Sequence, residues 1–475
     1  MSQQLWHWSV AQIVTGVRTR SVSAREVVLS VLDRLDSINP AINAVVSVQR
    51  QDALARADAL DNSKELRVGR LPLLGVPVTT KINTDQKGLP TTNGVVAFQN
   101  NIATEDAPAI RNLRHSGAII IGRTNVPAFS MRWATENDLH GRTLNPWNAT
   151  RTPGGSSGGA AAAVSAGIGP VAQGNDGGGS LRYPAYCCGV VGLRPSLGRV
   201  PNAPQPTFAD PPLAAQLISV QGPIGKRVAD VRSAVVAMSS SGEGDPGWVE
   251  PVGSSEFARG IKVAFCPDPT GRGTHPSIGG ALKRAADILE RAGYIVEETI
   301  PPQFNEAVDL WHAIAAQARY VATPLIEAHA DRTCRQMHDF TVLGNPYQPE
   351  RFINALTRRT RMQRAWAAFL TEYPILLSPV TNELPFVYGE DWNDAASVAR
   401  MYDAIAPLFV QPALGIPAIS VPVGLSDGLP VGVQLTAARF QERLILDAAE
   451  VIEREAAIGF STPTANMERE NANTP

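Results

Sequence analysis

The sequence has few cysteines and almost no net charge. Cys187, Cys188, Cys266 and Cys334 are the four cysteines among 475 residues. They are too few for a disulfide framework, so we expect free thiols and a cytoplasmic setting. The 42 basic and 44 acidic residues leave a net charge of −2. This balance gives no electrostatic basis for binding nucleic acid or an acidic membrane surface.

Long hydrophobic runs are lacking as well. The N-terminal segment MSQQLWHWSV has no basic stretch followed by an apolar run, so no signal peptide is predicted. The longest weakly polar run covers residues 159–172. It is glycine-rich and shorter than the roughly 20 apolar residues that a membrane-spanning helix needs. We therefore expect no membrane segment and no membrane partner.

Short β-branched apolar segments alternate with amphipathic ones from about residue 71 onward. LLGVPVTT (73–80) and GAIIIG (117–122) are typical of buried strands, and FQERLILDAAEVIEREA (440–456) is an amphipathic helix. This alternation predicts an α/β sheet covered by helices on both faces. Further strands are predicted at 261–266, 294–298, 374–380, 417–423 and 430–437.

The predicted helices have recognisable ends. Ser23 and Glu26 fit a capping box at the start of a helix over 23–36, and Asn39-Pro40 is expected to stop it. Gly293 is expected to end a helix over 277–292. Two more helices are predicted at 50–66 and 107–116.

Changes in composition divide the chain into regions. We expect an N-terminal helical region over 1–70, a core over 71–456 and a polar tail over 457–475. Residues 303–372 have a helical pattern with several aromatic residues, and they are expected to form an excursion from the sheet that roofs a pocket. Surface loops rich in proline, glycine and serine are predicted at 202–216 and 239–256.

Two glycine clusters, GGSSGG (154–159) and GNDGGGS (174–180), lie close together. Structural turns are the simplest interpretation of such clusters. Neither has the Gly-Lys-Ser/Thr ending of a phosphate-binding P-loop, and neither follows the G-x-G-x-x-G pattern of dinucleotide sites. Phosphate binding is therefore a weak hypothesis for both.

The whole stretch TPGGSSGGAAAAVSAGIGPVAQGNDGGGSLRYPAYCCGVVGLRPSLGRV closely resembles the signature of the amidase signature family of serine hydrolases. Three further segments are similar to those of the family, so the resemblance runs from about residue 5 to 456. It implies a three-layer α/β/α fold with a large mixed sheet. The three segments are LLGVPVTTKINTDQKGLPTTNG (73–94), GRTNVPAF…NPWN (122–148) and PALGIPAISVPVG…GLPVGVQL (412–435).

Position by position, the resemblance implies a catalytic triad of two serines and a lysine. Ser180 matches the nucleophile, Ser156 matches the bridging serine that follows a cis peptide bond, and Lys81 matches the base. A serine hydroxyl needs a neighbouring base, and lysine serves as one only when burial keeps it neutral. Lys81 follows a strand of the buried type, where such burial is expected. The backbone N–H groups of Gly177, Gly178, Gly179 and Ser180 are the expected oxyanion-hole donors.

The remaining residues of these segments receive smaller roles. Asp176 is expected to shape the glycine turn, and Ser157 and Arg182 to support the site. The chain departs from the family at Ile82, where aspartate is usual, and at Asn175 and Gly177, where threonine or a similar residue is usual. Tyr186 and Cys187 replace a small residue and an aromatic one. None of these differences removes the triad, and the extra glycine is expected to widen the site near the oxyanion hole.

Other candidate sites are weaker. Cys334-x-x-x-His338 is an isolated pair without further ligands nearby, so no metal is expected there. Cys188 is expected to pack in the core. Trp133 and Trp147 flank the matched segments; core packing is their default role, and lining of an acyl pocket is the alternative.

The sequence thus predicts an amidohydrolase that cleaves C–N bonds through an acyl-enzyme and uses no cofactor. A bulky or aromatic small-molecule amide, or a carbamate (urethane), is the expected substrate of a monomer or homodimer. One alternative is the glutaminase subunit of a tRNA-dependent amidotransferase, which needs partner chains. Another is a non-catalytic binding protein with the same fold, although an intact Lys81, Ser156 and Ser180 argue against it.

Overall fold

A single large sheet organises the part of the chain that the structure describes. The computed structural model describes residues 4–63, 71–202, 210–251 and 260–456. Within these ranges eleven strands belong to the large sheet, and β4 and β5 form a separate hairpin. The strands are β1 Val45–Val48, β2 Pro77–Lys81, β3 Ile119–Thr124, β4 Glu136–Asn137, β5 Gly141–Arg142, β6 Val171–Asp176, β7 Val191–Arg194, β8 Val220–Gly225, β9 Lys262–Phe265, β10 Ile295–Glu298, β11 Ile375–Pro379, β12 Ala418–Ser426 and β13 Leu429–Ala437.

Helices cover the sheet, consistent with the three-layer α/β/α arrangement expected from the sequence. None of the helices in the described ranges has the length and apolar character required to cross a membrane. The helices are α1 Val10–Thr19, α2 Ala24–Ile42, α3 Arg50–Asn62, α4 Pro108–His115, α5 Gly158–Ser165, α6 Arg182–Cys188, α7 Leu213–Ile218, α8 Val228–Met238, α9 Pro276–Arg291, α10 Phe304–His329, α11 Arg332–Gly344, α12 Pro349–Glu372, α13 Glu390–Asn393, α14 Ala395–Ala404, α15 Val410–Leu414 and α16 Glu442–Ala456.

The sheet mixes parallel and antiparallel pairs. Its strand order is β1-β3-β2-β6-β8-β7-β12-β13-β11-β9-β10. Strand β2 is parallel to both β3 and β6, and β9 is parallel to both β10 and β11. The antiparallel strands β8, β7, β12 and β13 lie between these two parallel groups. Because β2 and β6 are neighbours and parallel, their carboxyl ends, Lys81 and Asp176, lie on the same edge of the sheet.

The strands predicted from apolar runs are all present, with ends that differ by a few residues. The first is shorter than predicted, because residues 72–75 form a turn and β2 starts at Pro77. The second glycine cluster was expected to be a loop throughout, but its first three residues complete β6. Paired on both sides, β6 tolerates a glycine in its interior. The predicted loop at 202–216 is also partly wrong, because its end begins α7.

The predicted stop at Asn39-Pro40 is wrong. Helix α2 continues through Pro40 to Ile42. The proline removes only one N–H donor, close to the end of the helix, and Asn43 then adopts left-handed angles (φ 49°) to end it. Residues 64–66 of the second predicted helix, residues 203–209 of the first predicted loop, residues 252–256 of the second, and the tail from 457 lie outside the described residues.

Residues 303–372 are helical, as expected. Helices α10, α11 and α12 occupy nearly the whole segment. Trp311 on α10 and Trp366 on α12 are buried among the core side chains. This segment therefore joins the hydrophobic core through its aromatic residues. Trp311 also brings α10 to the second glycine cluster, as described below.

The side chain of Asn39 forms hydrogen bonds with backbone groups just after the end of α2. Its Oδ1 atom accepts hydrogen bonds from the N–H groups of Ala44 and Val45, both at 2.9 Å, and its Nδ2 donates to the Val45 carbonyl at 2.8 Å. These three bonds fix the entry into β1 at the edge of the sheet.

We expect Asn39→Ala to lower the free energy of unfolding by about 1–3 kcal/mol, because it leaves these backbone groups without partners. Urea denaturation measures the change. Asn62→Ala, at an exposed position on α3, is the control and should stay within about 0.5 kcal/mol of wild type. Equal stabilities of the two variants would contradict the assigned role of Asn39.

Candidate active site

Lys81 lies at the centre of the candidate site. It is the last residue of β2, a strand in which every residue is buried, and its side chain has no solvent exposure. The backbone N–H of Lys81 donates to Gln173 Oε1 on neighbouring β6 at 2.9 Å. Its Nζ atom lies 2.7 Å from Ser156 Oγ and 2.6 Å from Asn175 Oδ1. The amine thus contacts two polar side chains, both of them uncharged.

Burial sets the protonation state of Lys81. Desolvation lowers its pKa to about 7, and the negative charge of Asp176 opposes this shift only in part. A charged amine loses the stabilisation of bulk water when it is buried, so the neutral form is favoured. Near neutral pH a substantial fraction of Lys81 is therefore uncharged and able to accept a proton.

Ser156 lies on the first glycine loop, just before α5. The peptide bond between Gly155 and Ser156 is cis, and Ser156 is buried. A Cβ atom at Gly155 would lie 2.1 Å from the carbonyl oxygen of Arg132, closer than real atoms approach. Glycine is therefore required for this loop to pack against residue 132 and bring Ser156 to Lys81.

Asp176 holds the second glycine loop from inside. Its Oδ1 atom accepts from the N–H of Gly179 at 2.7 Å, and its Oδ2 accepts from the N–H of Leu181 at 3.3 Å. The guanidinium groups of Arg182 and Arg194 pair with the same carboxylate, at 3.0 and 3.4 Å. Burial alone would raise the pKa of Asp176, but the two guanidinium groups lower it to about 2. Asp176 is therefore ionised and shapes the turn.

The backbone N–H groups of this loop do not all have the same role. The N–H of Gly179, one of four predicted oxyanion donors, is occupied by Asp176. Among the described residues, those of Gly177, Gly178 and Ser180 have no hydrogen-bond acceptor. Three of the predicted donors therefore remain available to a ligand in this structure.

Trp311 belongs to the site, although sequence analysis did not identify it. Its Nε1 donates to the carbonyl oxygen of Gly177 at 2.7 Å, and its ring fills the space where a Cβ atom of Gly178 would lie. The N–H and C=O of a trans peptide point in opposite directions, so this bond directs the N–H of Gly178 away from Trp311. The ring itself stacks on Phe409 with 3.8 Å between centroids. Only the aromatic pattern of 303–372 hinted at this contact.

Ser180 follows the loop and precedes α6. It is partly exposed, and within the described ranges its Oγ atom has no hydrogen-bond partner. Lys81 and Ser156 are thus in direct contact, whereas no hydrogen bond joins either of them to Ser180. Lys81 is connected to the Ser180 loop through Asn175, the neighbour of Asp176 in β6.

Ser157 and Arg182 support this arrangement. Ser157 Oγ donates to the carbonyl of Asn175 at 3.4 Å. Besides its pair with Asp176, buried Arg182 donates to Gln411 Oε1 and Gln434 Oε1, both at 2.7 Å. The loop is therefore tied to α15 and β13, on the other side of the sheet's antiparallel centre.

The weaker candidates have structural contacts. The described residues contain no group of three or more His, Cys, Asp or Glu side chains placed to hold a metal ion. His338 contacts Thr323, and all four cysteines are free and buried. Trp133 packs in the core against Tyr183, and Trp147 donates to the carbonyl of Cys188 at 2.8 Å. Ile82, Tyr186 and Cys187 are buried as well.

We expect Asp176→Asn to lower the free energy of unfolding by about 3–5 kcal/mol, because it leaves two buried guanidinium groups without a compensating charge. Denaturant unfolding followed by circular dichroism measures the loss. Asp33→Asn on the exposed face of α2 is the control, with an expected change of less than about 0.5 kcal/mol. A loss below about 1 kcal/mol for Asp176→Asn would contradict the role given to this carboxylate.

Known proteins are similar to this chain in sequence and in fold. The family model described as Amidase matches residues 26–446. An indoleacetamide hydrolase from Bradyrhizobium diazoefficiens is 40% identical over 96% of this chain and 87% of its own length. A glutamyl-tRNA(Gln) amidotransferase subunit from Moorella thermoacetica is 30% identical, with 95% and 97% covered. A bacterial aryl acylamidase structure superposes with a TM-score of 0.82 at 26% identity, covering 96% and 98%. The chain belongs to the amidase signature family and is an amide-cleaving hydrolase.

Proposed function

We propose that Ser180 is the nucleophile of amide hydrolysis, with Ser156 as the proton relay and Lys81 as the base. The observation that carries this proposal is the 2.7 Å contact between Lys81 Nζ and Ser156 Oγ in a fully buried environment. A buried amine with a pKa near neutrality can accept a proton, whereas an exposed lysine cannot at that pH. In this proposal, Ser180 loses its proton to Lys81 through the hydroxyl group of Ser156.

The proposed reaction forms an acyl-enzyme and then hydrolyses it. Ser180 Oγ forms a bond to the amide carbon while the C=O electron pair moves onto oxygen. The Ser180 proton passes to Ser156, and the Ser156 proton passes to Lys81 Nζ. When the carbonyl re-forms, the C–N bond breaks and the leaving nitrogen takes a proton back along the same path. Water then attacks the ester in the same way, releasing the acid and restoring Ser180.

The free N–H groups of the second glycine loop supply the electrostatic part of catalysis. In the proposed mechanism, those of Gly177, Gly178 and Ser180 donate to the oxyanion. Such donors are fixed before the reaction begins, and losing one typically costs about 2.7–4 kcal/mol of transition-state stabilisation. The bond between Trp311 and the Gly177 carbonyl supports this role because it holds the loop peptide in one orientation.

We propose a bulky or aromatic small-molecule amide as the substrate, with an aryl carbamate as the related alternative. Two observations support the aromatic class. The relatives include an indoleacetamide hydrolase and an aryl acylamidase. The rings of Trp311, Tyr402 and Phe409 lie within 6.4 Å of one another beside the glycine loop. Helices α10–α12, which carry Trp311, form the proposed roof of the pocket.

The glutaminase subunit of an amidotransferase remains the second candidate, because an amidotransferase subunit is 30% identical to this chain. The higher identity of the indoleacetamide hydrolase, 40%, favours a small-molecule amidase. The substrate preference distinguishes the two functions, since a glutaminase should prefer glutamine to arylacetamides.

A hydrolysis panel tests the proposal. We expect the purified chain to cleave indoleacetamide or an anilide at least tenfold faster, by kcat/KM, than acetamide or glutamine, with an aryl carbamate as a further member. Ammonia or amine release is the measurement. Ser180→Ala should lower the activity by at least a thousandfold, because it removes the nucleophile. Unchanged activity in this variant, or glutamine as the preferred substrate, would contradict the proposal.

The pH dependence should follow Lys81. Its depressed pKa of about 7 means that kcat/KM should fall about tenfold per pH unit below this value, as the base becomes protonated, and should level off above it. Lys81→Arg should abolish activity at every pH up to 9, because arginine stays charged. A flat profile from pH 5 to 8 would show that Lys81 is not the base.

A further inference from the structure

Lys81 has a second polar contact that proton transfer from Ser156 does not require. Asn175 Oδ1 lies 2.6 Å from Lys81 Nζ, on the strand next to β2. Asn175 immediately precedes Asp176 in β6. A carboxamide oxygen can only accept hydrogen bonds, so this contact takes up one N–H of the amine.

The carboxamide of Asn175 is held in a single orientation by other side chains. Its Nδ2 donates to Asn83 Oδ1 at 3.0 Å, and Asn83 Nδ2 donates to Ser130 Oγ at 2.9 Å. Ser130 Oγ in turn donates to Asn93 Oδ1 at 2.7 Å. Each of these three bonds joins a donor to an acceptor. A flip of the Asn175 amide would place an NH₂ group against the amine and an oxygen against the Asn83 oxygen, so the oxygen faces Lys81.

We propose that Asn175 is a positioning residue that directs the lone pair of the neutral Lys81 amine toward Ser156. A neutral primary amine has two N–H bonds and one lone pair. With one N–H held by Asn175 Oδ1, rotation about the Cε–Nζ bond is restricted, and the lone pair can face the Ser156 hydroxyl. After proton transfer, the same oxygen stabilises the charged amine. This inference rests on the proposed function of Lys81 as the base.

The charges around Lys81 allow the effect of a charge introduced at residue 175 on the protonation of this amine to be predicted. Asp176 is the charged group that acts on Lys81, and its own charge is largely compensated by Arg182 and Arg194. Ser156 and Asn175 are neutral. A carboxylate introduced at position 175 would therefore be the nearest uncompensated charge to the amine and would favour its protonated form.

The test measures how pH affects the labelling rate of Ser180 by a fluorophosphonate, which reports activation of the serine without a known amide substrate. We expect Asn175→Asp to move the midpoint of the pH–rate curve upward by at least one unit. We expect Asn175→Leu, which has a similar volume but no acceptor, to lower the plateau at least tenfold and to move the midpoint downward. Asn100→Asp, at an exposed position, is the matched control and should give the wild-type curve.

Two further variants keep the inference falsifiable. Asn83→Leu should lower the plateau three- to tenfold, because it frees the Asn175 carboxamide to rotate. Asn175→Ser, which restores an acceptor, should recover part of the plateau lost in Asn175→Leu. If wild type is labelled and the folded Asn175 variants keep its midpoint, Asn175 has only a structural role and the inference is overturned. Absence of labelling in wild type would instead overturn the proposed function, and this inference with it.

Discussion

The buried carboxylate of Asp176 is the interaction on which the rest of the site depends. It receives two backbone N–H groups of the glycine loop and two guanidinium groups from different elements. Breaking one of the ion pairs would leave a buried charge in the centre of the sheet without a compensating charge or solvent. Through Arg182 the same carboxylate is connected to Gln411 and Gln434, so β6, α6, β7, α15 and β13 meet at one point. The geometry around Ser180 therefore depends on contacts between elements that are far apart in the sequence.

The two buried ionisable groups at the carboxyl ends of β2 and β6 differ in their protonation behaviour. Desolvation disfavours charge on both Lys81 and Asp176. Asp176 nevertheless remains charged because two cations pair with it, whereas the hydrogen-bond partners of Lys81 are neutral. A fixed anion and a titratable amine can thus coexist a short distance apart. This separation of roles lets one group maintain structure while the other can exchange protons.

Much of this could be predicted from sequence, and the exceptions share a cause. Apolar runs located most strands, and two separate contiguous segments, 73–94 and 152–200, led to Lys81 and Ser156. The continuation of α2 through Pro40 was missed because the side chain of Asn39 stabilises its end locally. The Trp311 bond to Gly177 and the occupied N–H of Gly179 could not be found, because each depends on packing between distant segments or on the exact path of a loop.

The contact between Trp311 and the glycine loop also limits how such a chain can diversify. A side chain at Gly178 would collide with the indole ring, and a smaller ring at 311 would withdraw the donor from the Gly177 carbonyl. Neither position can change alone without disturbing the other, so over evolutionary time they should vary only as a pair. New substrate specificity can then arise more readily through other residues of α10–α12. These residues can change while the contact between Trp311 and the glycine loop is kept.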